Sequence, residues 1–435
     1  MTFPKPSENT FVNRRDAISK SLAGAASIGI ASEAFLARTA HAAGSDIIKV
    51  GLVGCGGRGN GAAKNAMNAD PGCRLTAIGD IFDKRLQLGK EVLQRGLKDQ
   101  FAVSDDHCFS GWDAFDKVLN SGIDVVLMCT PPHFRPAQMA AAVKAGKHIF
   151  CEKPVAVDPT GVRSVMESSK LAAEKGLSLV SGLCWRYDFG VLATMNRIHD
   201  GAIGRVLASQ ANYLANTLWF RNREDDWTPM HEQVQNWMYY RWLSGDHIVE
   251  QFIHSLDKAL WLRHDEPPVR CYGQGGRQVR TSSDYGNVYD HFSVVYEWAD
   301  GSKTFASTRQ MAGCFNETED YVFGTDGTAT ILANKIVSEK PWKYEYQGEG
   351  KKPNMYDLEH VALFKSIRDG KPLNNGDYMC KSTLMAIMGR EACYSGKVIT
   401  WEQAMASNQV LGPKQYAWGE APEAVVNNPG TYVFE

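Results

Sequence analysis

Residues 47–59 read Ile47-Ile48-Lys49-Val50-Gly51-Leu52-Val53-Gly54-Cys55-Gly56-Gly57-Arg58-Gly59, an apolar, β-branched run that ends in a glycine cluster. The run has the character of a strand buried on both faces. The cluster matches G-x-G-x-x-G, and the alanine-rich stretch at 62–67 begins a helix. Glycine is needed in such a loop because the chain must turn tightly, bring backbone N–H groups against a pyrophosphate, and let the helix pack on the strand. Between a strand and a helix the match is a strong signal. A second strand, 75–79, ends at Asp80, 21 residues beyond Gly59. A carboxylate there can accept hydrogen bonds from both adenosine ribose hydroxyls and repels a 2′-phosphate, so NAD is favoured over NADP. Lys84 and Arg85 are close enough in sequence to soften that choice. The candidate cofactor residues of this stretch are Gly54, Gly56, Gly57, Arg58, Gly59 and Asp80.

Working outward, strand and helix patterns alternate: helices at 112–119, 136–145 and 159–174, strands at 125–129, 148–151 and 177–181. Regular β-α-β units predict a Rossmann, doubly wound parallel sheet with ligand at the carboxyl ends of its strands. Thr130-Pro131-Pro132-His133 and Glu152-Lys153-Pro154 fall at such ends, so Thr130, Pro131, His133, Glu152 and Lys153 join the cofactor candidates. Farther on, period-two patterns at 206–213, 291–298, 302–309, 320–324 and 328–332 alternate with helices at 247–262, 358–367 and 382–393. The α/β chain therefore divides into a dinucleotide-binding domain, 46–183, and an α+β domain, 184–435, built on a large, mainly antiparallel open sheet.

With 435 residues, 44% hydrophobic and 22% charged, the chain is neither disordered nor collagen-like. Its formal charge of −2 gives no overall basic field for nucleic acid or a membrane surface, and small-molecule partners are expected. Ten cysteines include no C-x-x-C pair. Residues 1–42 read as an address. Arg14-Arg15 precede a weakly apolar run, and Ala40-His41-Ala42 offers a signal-peptidase site. The pattern resembles a twin-arginine export signal, although Ala17 stands where such signals usually carry phenylalanine. Its hydrophobicity is too low for a membrane span. A periplasmic or otherwise exported protein, with no stable membrane insertion after cleavage, is expected.

The predicted helix from His247 carries His247, Glu250, His254 and Asp257 at spacings of 3, 4 and 3, which places them along one stripe. Such a stripe on an otherwise apolar helix meets a ligand, solvent or an internal hydrogen-bond network. A zinc reading lacks H-E-x-x-H and any completing His/Cys cluster, so no metal is expected. Arg186 and Tyr187 follow the last strand of the first domain and reach either the cleft or a rim salt bridge. Trp219, Arg221, Trp227, Trp237, Tyr239, Tyr240 and Trp242 form an aromatic-rich region suited to sugar faces, core anchoring or subunit contact. Arg309, Gln310 and Asn316 are further hydroxyl-binding candidates.

The glycine loop, Thr130-Pro131-Pro132-His133 with Ala145-Gly146-Lys147-His148, Glu152-Lys153-Pro154 and Gly324-Thr325-Asp326-Gly327-Thr328 together resemble the Gfo/Idh/MocA oxidoreductases. That family is named for glucose–fructose oxidoreductase and inositol dehydrogenase. The leader and the segment 245–257 resemble its exported bacterial subgroup. The resemblance implies that Lys153 lies near both the substrate hydroxyl and the nicotinamide, and that His254 supplies acid–base chemistry. Catalytic candidates are then Lys153 and His254, and substrate-binding candidates Lys153, Arg186, Tyr187, Glu250 and His254. Glu250 stands where the family usually has aspartate, one methylene shorter, which bears on substrate identity more than on reaction type. The open sheet pairs subunits in the family, so a homodimer or homotetramer is expected. The implied activity is an NAD-dependent oxidoreductase that moves a hydride between a nicotinamide and a hydroxyl of a sugar, polyol or glycoside. Two alternatives remain: an NAD-dependent glycosidase working by transient oxidation, elimination, water addition and re-reduction, and a non-catalytic NAD or sugar sensor.

Overall fold

A computed structural model describes residues 47–435. The leader at 1–42 and the start of the first domain at Asp46 lie outside the described residues.

The first layer begins with β1 (Ile48–Val53), α1 (Gly57–Ala69), β2 (Cys73–Asp80), α2 (Asp83–Leu97) and β3 (Cys108–Ser110). It continues through α3 (Ala114–Leu119), β4 (Val125–Met128), α4 (Arg135–Lys144), β5 (His148–Cys151), α5 (Pro159–Glu174) and β6 (Leu179–Ser181). Six parallel strands lie in the order β3-β2-β1-β4-β5-β6. The order reverses direction beside β1, and a crevice opens there at the strands' carboxyl ends. Val50, Leu52, Leu75, Val125 and Leu127 are fully buried, as expected of strands covered by helices on both faces.

The second domain contributes α6 (Phe189–His199), β7 (Val206–Ala215), α7 (Pro229–Gln235), α8 (Arg241–Ser244), α9 (His247–Glu250) and α10 (Ile253–Trp261). Strands β8 (Arg270–Gly276), β9 (His291–Glu297), β10 (Lys303–Gln310), β11 (Glu317–Gly324), β12 (Gly327–Thr330), β13 (Lys335–Ser338) and β14 (Trp342–Lys343) follow. Helices α11 (Met355–Arg368) and α12 (Gly376–Ser395), strand β15 (Ile399–Thr400) and helix α13 (Trp401–Ala406) close the order. The second sheet has nine strands, β14-β13-β12-β11-β7-β10-β9-β8-β15, and every pair is antiparallel except β7 with β10. One face packs on α10 and α12. No helix among the described residues is long and apolar enough to cross a membrane.

Two late elements bind the layers together. Leu363, Phe364 and Ile367 of α11 share a core with Val50, Leu75, Ala63 and Met67, so the second segment of the chain supplies a covering helix for the first sheet. Helix α12 is buried along almost its whole length. Its Arg390 is fully buried and donates from Nη1 to the carbonyls of Val157 (2.8 Å) and Gly245 (3.0 Å), and from Nε to Glu391 Oε1 (2.9 Å). A buried guanidinium is tolerable only when its donors are matched in this way. This one fixes the approach to α9 against the first domain.

Candidate active site

The glycine loop is built around close backbone packing. Gly54 has φ +95°, and a Cβ there would sit 2.7 Å from the Cys129 carbonyl oxygen. A Cβ on Gly59 would sit 1.7 Å from the carbonyl oxygen of Gly54. Gly56 and Gly57 meet nothing within 4 Å. The first two positions are closed by the protein; the next two face open space at the start of the 13-residue α1, where unpaired N–H groups and the helix dipole favour an anion. A dinucleotide pyrophosphate fits that space.

At the end of β2, Asp80 is 5% exposed. Its Oδ2 accepts from Cys55 N (2.8 Å) and its Oδ1 from Phe82 N (3.0 Å), so it ties the loop to the strand end and still lines the crevice. Burial raises its carboxyl above the usual range, against those two backbone bonds and the charge of Arg85. A cavity of about 330 Å³ runs from Gly54, Gly56 and Gly57 past Asp80 to Thr130 and Pro131. Trp219 and Arg221, from the connection after β7, and Trp237, just beyond α7, also line it. Thr130 Oγ1 donates to Gln138 Oε1 (2.6 Å), and Arg135 Nη2 to the Thr130 carbonyl (2.6 Å), which holds the strand end in place. Arg58 turns from the loop toward Glu152: Nε donates to Oε1 at 2.5 Å, the guanidinium lies over the Tyr356 ring, and Nη2 is 3.8 Å from Glu359 Oε1. Burial, and then the charge of Glu152, push the Glu359 carboxyl well up.

One residue beyond Glu152, Lys153 reaches across to the second domain. Its Nζ donates to Glu250 Oε1 (2.9 Å) and to the Glu250 carbonyl (2.6 Å), and the two side chains are 14% and 11% exposed. The Lys153–Pro154 peptide is cis. His254 belongs to the same charge cluster. Burial, and then the nearby cations Lys153, Lys258 and Arg58, hold its imidazole well below the usual value, so the ring is neutral near pH 7. Its Nδ1 has no hydrogen-bond partner among the described residues. Lys258 Nζ donates to the His254 carbonyl (2.9 Å) and pairs with Asp320 Oδ2 (3.1 Å) behind it.

The expected unbroken helix at 247–262 is not what the chain forms. It stops at Glu250 and restarts at Ile253; between them Phe252 is buried in the core and the Gln251 side chain accepts from Gln310 Nε2 (2.6 Å). The polar stripe is therefore divided. Glu250 and His254 share the charge cluster with Lys153. His247 is buried with its Nδ1 3.1 Å from Asp246 Oδ1, and Asp257 is held by Arg186 and by Ser382 Oγ (2.7 Å).

Arg186 is committed elsewhere than the cleft. Nε and Nη2 bind Asp257 at 2.9–3.1 Å, Nη2 also binds Asp265 at 2.6 Å, and the guanidinium lies 3.8 Å over the Tyr378 ring. Of the two places open to it, the structure gives it a salt bridge, and an interior one. Tyr187 donates its hydroxyl to Asn375 Oδ1 (2.9 Å). His133, expected at the cofactor, packs edge-on to Trp242 with Nε2 2.7 Å from the Tyr416 hydroxyl, and burial lowers its pKa to about 4. Arg309 donates to the Phe315 carbonyl, and Asn316 is exposed. The aromatic run serves two purposes: Trp219 and Trp237 face the cavity, whereas Tyr239, Tyr240 and Trp242 are core. Trp418 of the C-terminal tail stacks on Phe82 and packs at a tilt against Trp112 beside it. Sequence reasoning missed Gln251 and Asp246; the Gly245-Asp246 pair ahead of the helix was the signal for the latter, which caps α9 at φ +73°.

Two family models match the chain: the oxidoreductase family with NAD-binding Rossmann fold over residues 48–183, and the GFO/IDH/MocA C-terminal domain over 191–330. Inositol 2-dehydrogenase of Rubrobacter xylanophilus is 26% identical over 297 residues, 67% of this chain and 74% of that protein. A glycosyl hydrolase family 109 protein of Shewanella amazonensis is 26% identical over 326 residues, 72% of this chain and 64% of that one. Among solved structures, the WlbA dehydrogenase from Bordetella pertussis in complex with NADH and UDP-GlcNAcA superposes with a TM-score of 0.61 at 19% identity, covering 81% of this chain and 98% of that one. At that identity the likeness is one of fold.

Proposed function

The chain belongs to the Gfo/Idh/MocA oxidoreductase family, and from that membership we propose that it moves a hydride between NAD and a hydroxyl-bearing carbon of a sugar, polyol or glycoside. The observation that carries this reading is the Lys153–Glu250 ion pair one residue from Glu152, which Arg58 of the glycine loop binds, with His254 near enough for the charge of Lys153 to act on its ring. When bound, NAD supplies the hydride-accepting carbon.

The chain's own residues would do the rest. An ammonium has three N–H donors; Glu250 takes two of those on Lys153, and the third would be available to a substrate oxygen. A fixed cation there favours the negative charge that grows on that oxygen as its proton leaves. The neutral His254 accepts that proton as the O–H bond breaks, the carbon–oxygen double bond forms and the hydride departs; in the reverse direction it gives the proton back. General-base assistance contributes on the order of 10²–10⁴-fold. Lys153→Met and His254→Ala should each lower kcat by on the order of 10²–10⁴-fold while NAD affinity stays within a few-fold of wild type. Turnover retained in either variant, read as NADH formed over a panel of sugars and polyols, would remove that residue from the chemistry.

The glycosyl hydrolase relative favours a second reading, a redox-neutral glycosidase on the same residues. Aglycone released with no accumulation of NADH would select it; stoichiometric NADH selects the dehydrogenase. The outer face of the nine-stranded sheet carries a cross-strand row of Tyr321, Gln210, Phe305, Val295 and Tyr272, apolar except at Gln210, which supports pairing of subunits into a dimer or tetramer. We also propose export through the arginine leader. Native and denaturing mass spectrometry of the purified protein tests cleavage near Ala42, subunit number and retained nucleotide together.

A further inference from the structure

Two arginines from different domains converge where the glycine loop opens. Arg85 comes from the first turn of α2, and Arg221 from the connection between β7 and α7. Both line the 330 Å³ cavity, and both line a second cavity of about 570 Å³ that also reaches Gly56 and Gly57. They are drawn together by one residue: Arg85 Nη2 donates to Gln235 Oε1 (2.7 Å), and Arg221 Nη1 donates to the Gln235 carbonyl (2.8 Å). Each guanidinium lies against a ring, Arg85 over Phe82 at 5.3 Å and Arg221 over Trp219 at 4.2 Å. The backbone of Arg221 is fixed by a reciprocal pair with Asn236, its N–H donating to Oδ1 and its carbonyl accepting from Nδ2, both at 2.9 Å.

Neither arginine has a carboxylate within ion-pair distance among the described residues. The nearest acids are otherwise engaged: Asp80 accepts from two backbone N–H groups, and Glu224 on the rim pairs with Lys84. The charge of Arg85 acts on Asp80 only at longer range, so two like charges held side by side with no carboxylate in contact repel each other, and an arriving anion would relieve that repulsion. Burial and the charge of Arg85 together lower the basicity of Arg221, in keeping with that repulsion. Resting on the reading of this crevice as the dinucleotide site, we propose that Arg221 and Arg85 form a two-guanidinium clamp for a phosphate group of the bound dinucleotide, so that the second domain holds part of the cofactor. The planar, pre-positioned forks suit phosphate oxygens, and little side-chain freedom remains to be lost on binding. The phosphate is either the pyrophosphate or, in NADP, the 2′-phosphate.

The test is equilibrium binding of NAD, NADP and adenosine to the full chain, followed by tryptophan fluorescence, for wild type, Arg221→Gln, Arg221→Lys and Arg85→Gln. Melting curves without nucleotide report folding, and Arg221→Lys and Arg85→Gln carry the test if Arg221→Gln does not fold. Arg221→Gln should weaken dinucleotide binding about 10- to 100-fold, leave adenosine unchanged, and flatten the salt dependence. Arg221→Lys should restore only part, because an ammonium lacks the fork. Equal loss for NAD and NADP identifies the pyrophosphate; loss confined to NADP identifies the 2′-phosphate. Both nucleotides bound within about twofold of wild type by the glutamine variants would overturn the clamp. Wild type binding neither nucleotide would instead overturn the cofactor reading beneath it.

Discussion

The unfolding free energy of Asp320→Asn, taken relative to wild type, should become more favourable as the pH rises from 4.5 to 7.5, on top of a constant cost for leaving the buried Lys258 without its anion. Asp320 sits on β11, 5% exposed, facing Lys258 of α10 at 3.1 Å. Burial raises its pKa from 3.8 to about 6, even though Lys258 pulls the other way. A raised carboxyl pKa means that the folded state holds the proton more tightly than the unfolded chain does. The stability this group contributes is therefore present in full below about pH 4 and lost as the pH rises from there through about 6. A rise of about two units corresponds to about 3 kcal/mol over the whole range. Roughly 1 kcal/mol of that is already lost by pH 4.5, because the unfolded carboxyl is by then mostly ionised. An asparagine side chain is close to the protonated acid in shape and does not titrate. The difference in unfolding free energy, Asp320→Asn minus wild type, should climb by about 2 kcal/mol between pH 4.5 and 7.5. Urea midpoints recorded by circular dichroism across that range measure it. Taking the difference cancels the titrating groups that do not interact with Asp320, leaving those coupled to it, Lys258 above all. A flat difference would refute the reasoning, since it would mean that Asp320 ionises at its ordinary pH and that the interior around Lys258 is wet.

Two further sets of substitutions probe other parts of the molecule. The glycine loop separates packing from binding: Gly59→Ala should cost on the order of 1–3 kcal/mol or more, because its methyl group would meet the Gly54 carbonyl. Gly56→Ala, by contrast, should leave the melting temperature within a degree or two while weakening NAD at least about tenfold, because its methyl group enters the open space. Arg186→Met should lower stability by about 3–5 kcal/mol, read from urea midpoints, because it leaves Asp257 buried without its cation, yet kcat per folded molecule should stay within a few-fold.

The parallel sheet was legible because each of its core strands is a short apolar run bounded by turn residues, and because Gly54 to Gly59 fall between a strand and a helix. The strands that escaped notice share a physical reason. Cys108–Ser110 and Lys335–Ser338 are too short to show a period, and Arg270–Gly276 carries three glycines that dilute the alternation. At the site, Lys153 could be located by its place after a buried strand. The split between Glu250 and Ile253 could not be read, since helical spacing continues across it and the partner of the Gln251 side chain there, Gln310, lies 59 residues farther on. Arg186 fails as a cleft residue for a similar reason. Its partners Asp257 and Asp265 are 71 and 79 residues away, and only the fold brings them to it. The aromatic run at 219–242 has the same composition whether its rings face a cavity or a core, and it turned out to do both.

The return of α11 onto the first sheet bears on modularity. A nucleotide-binding unit cut at residue 183 would present bare hydrocarbon where Leu363 and Phe364 now lie, so it should aggregate rather than fold as a free-standing piece. Transplanting this unit to a new catalytic partner would require a circularly permuted or split design that brings α11 along.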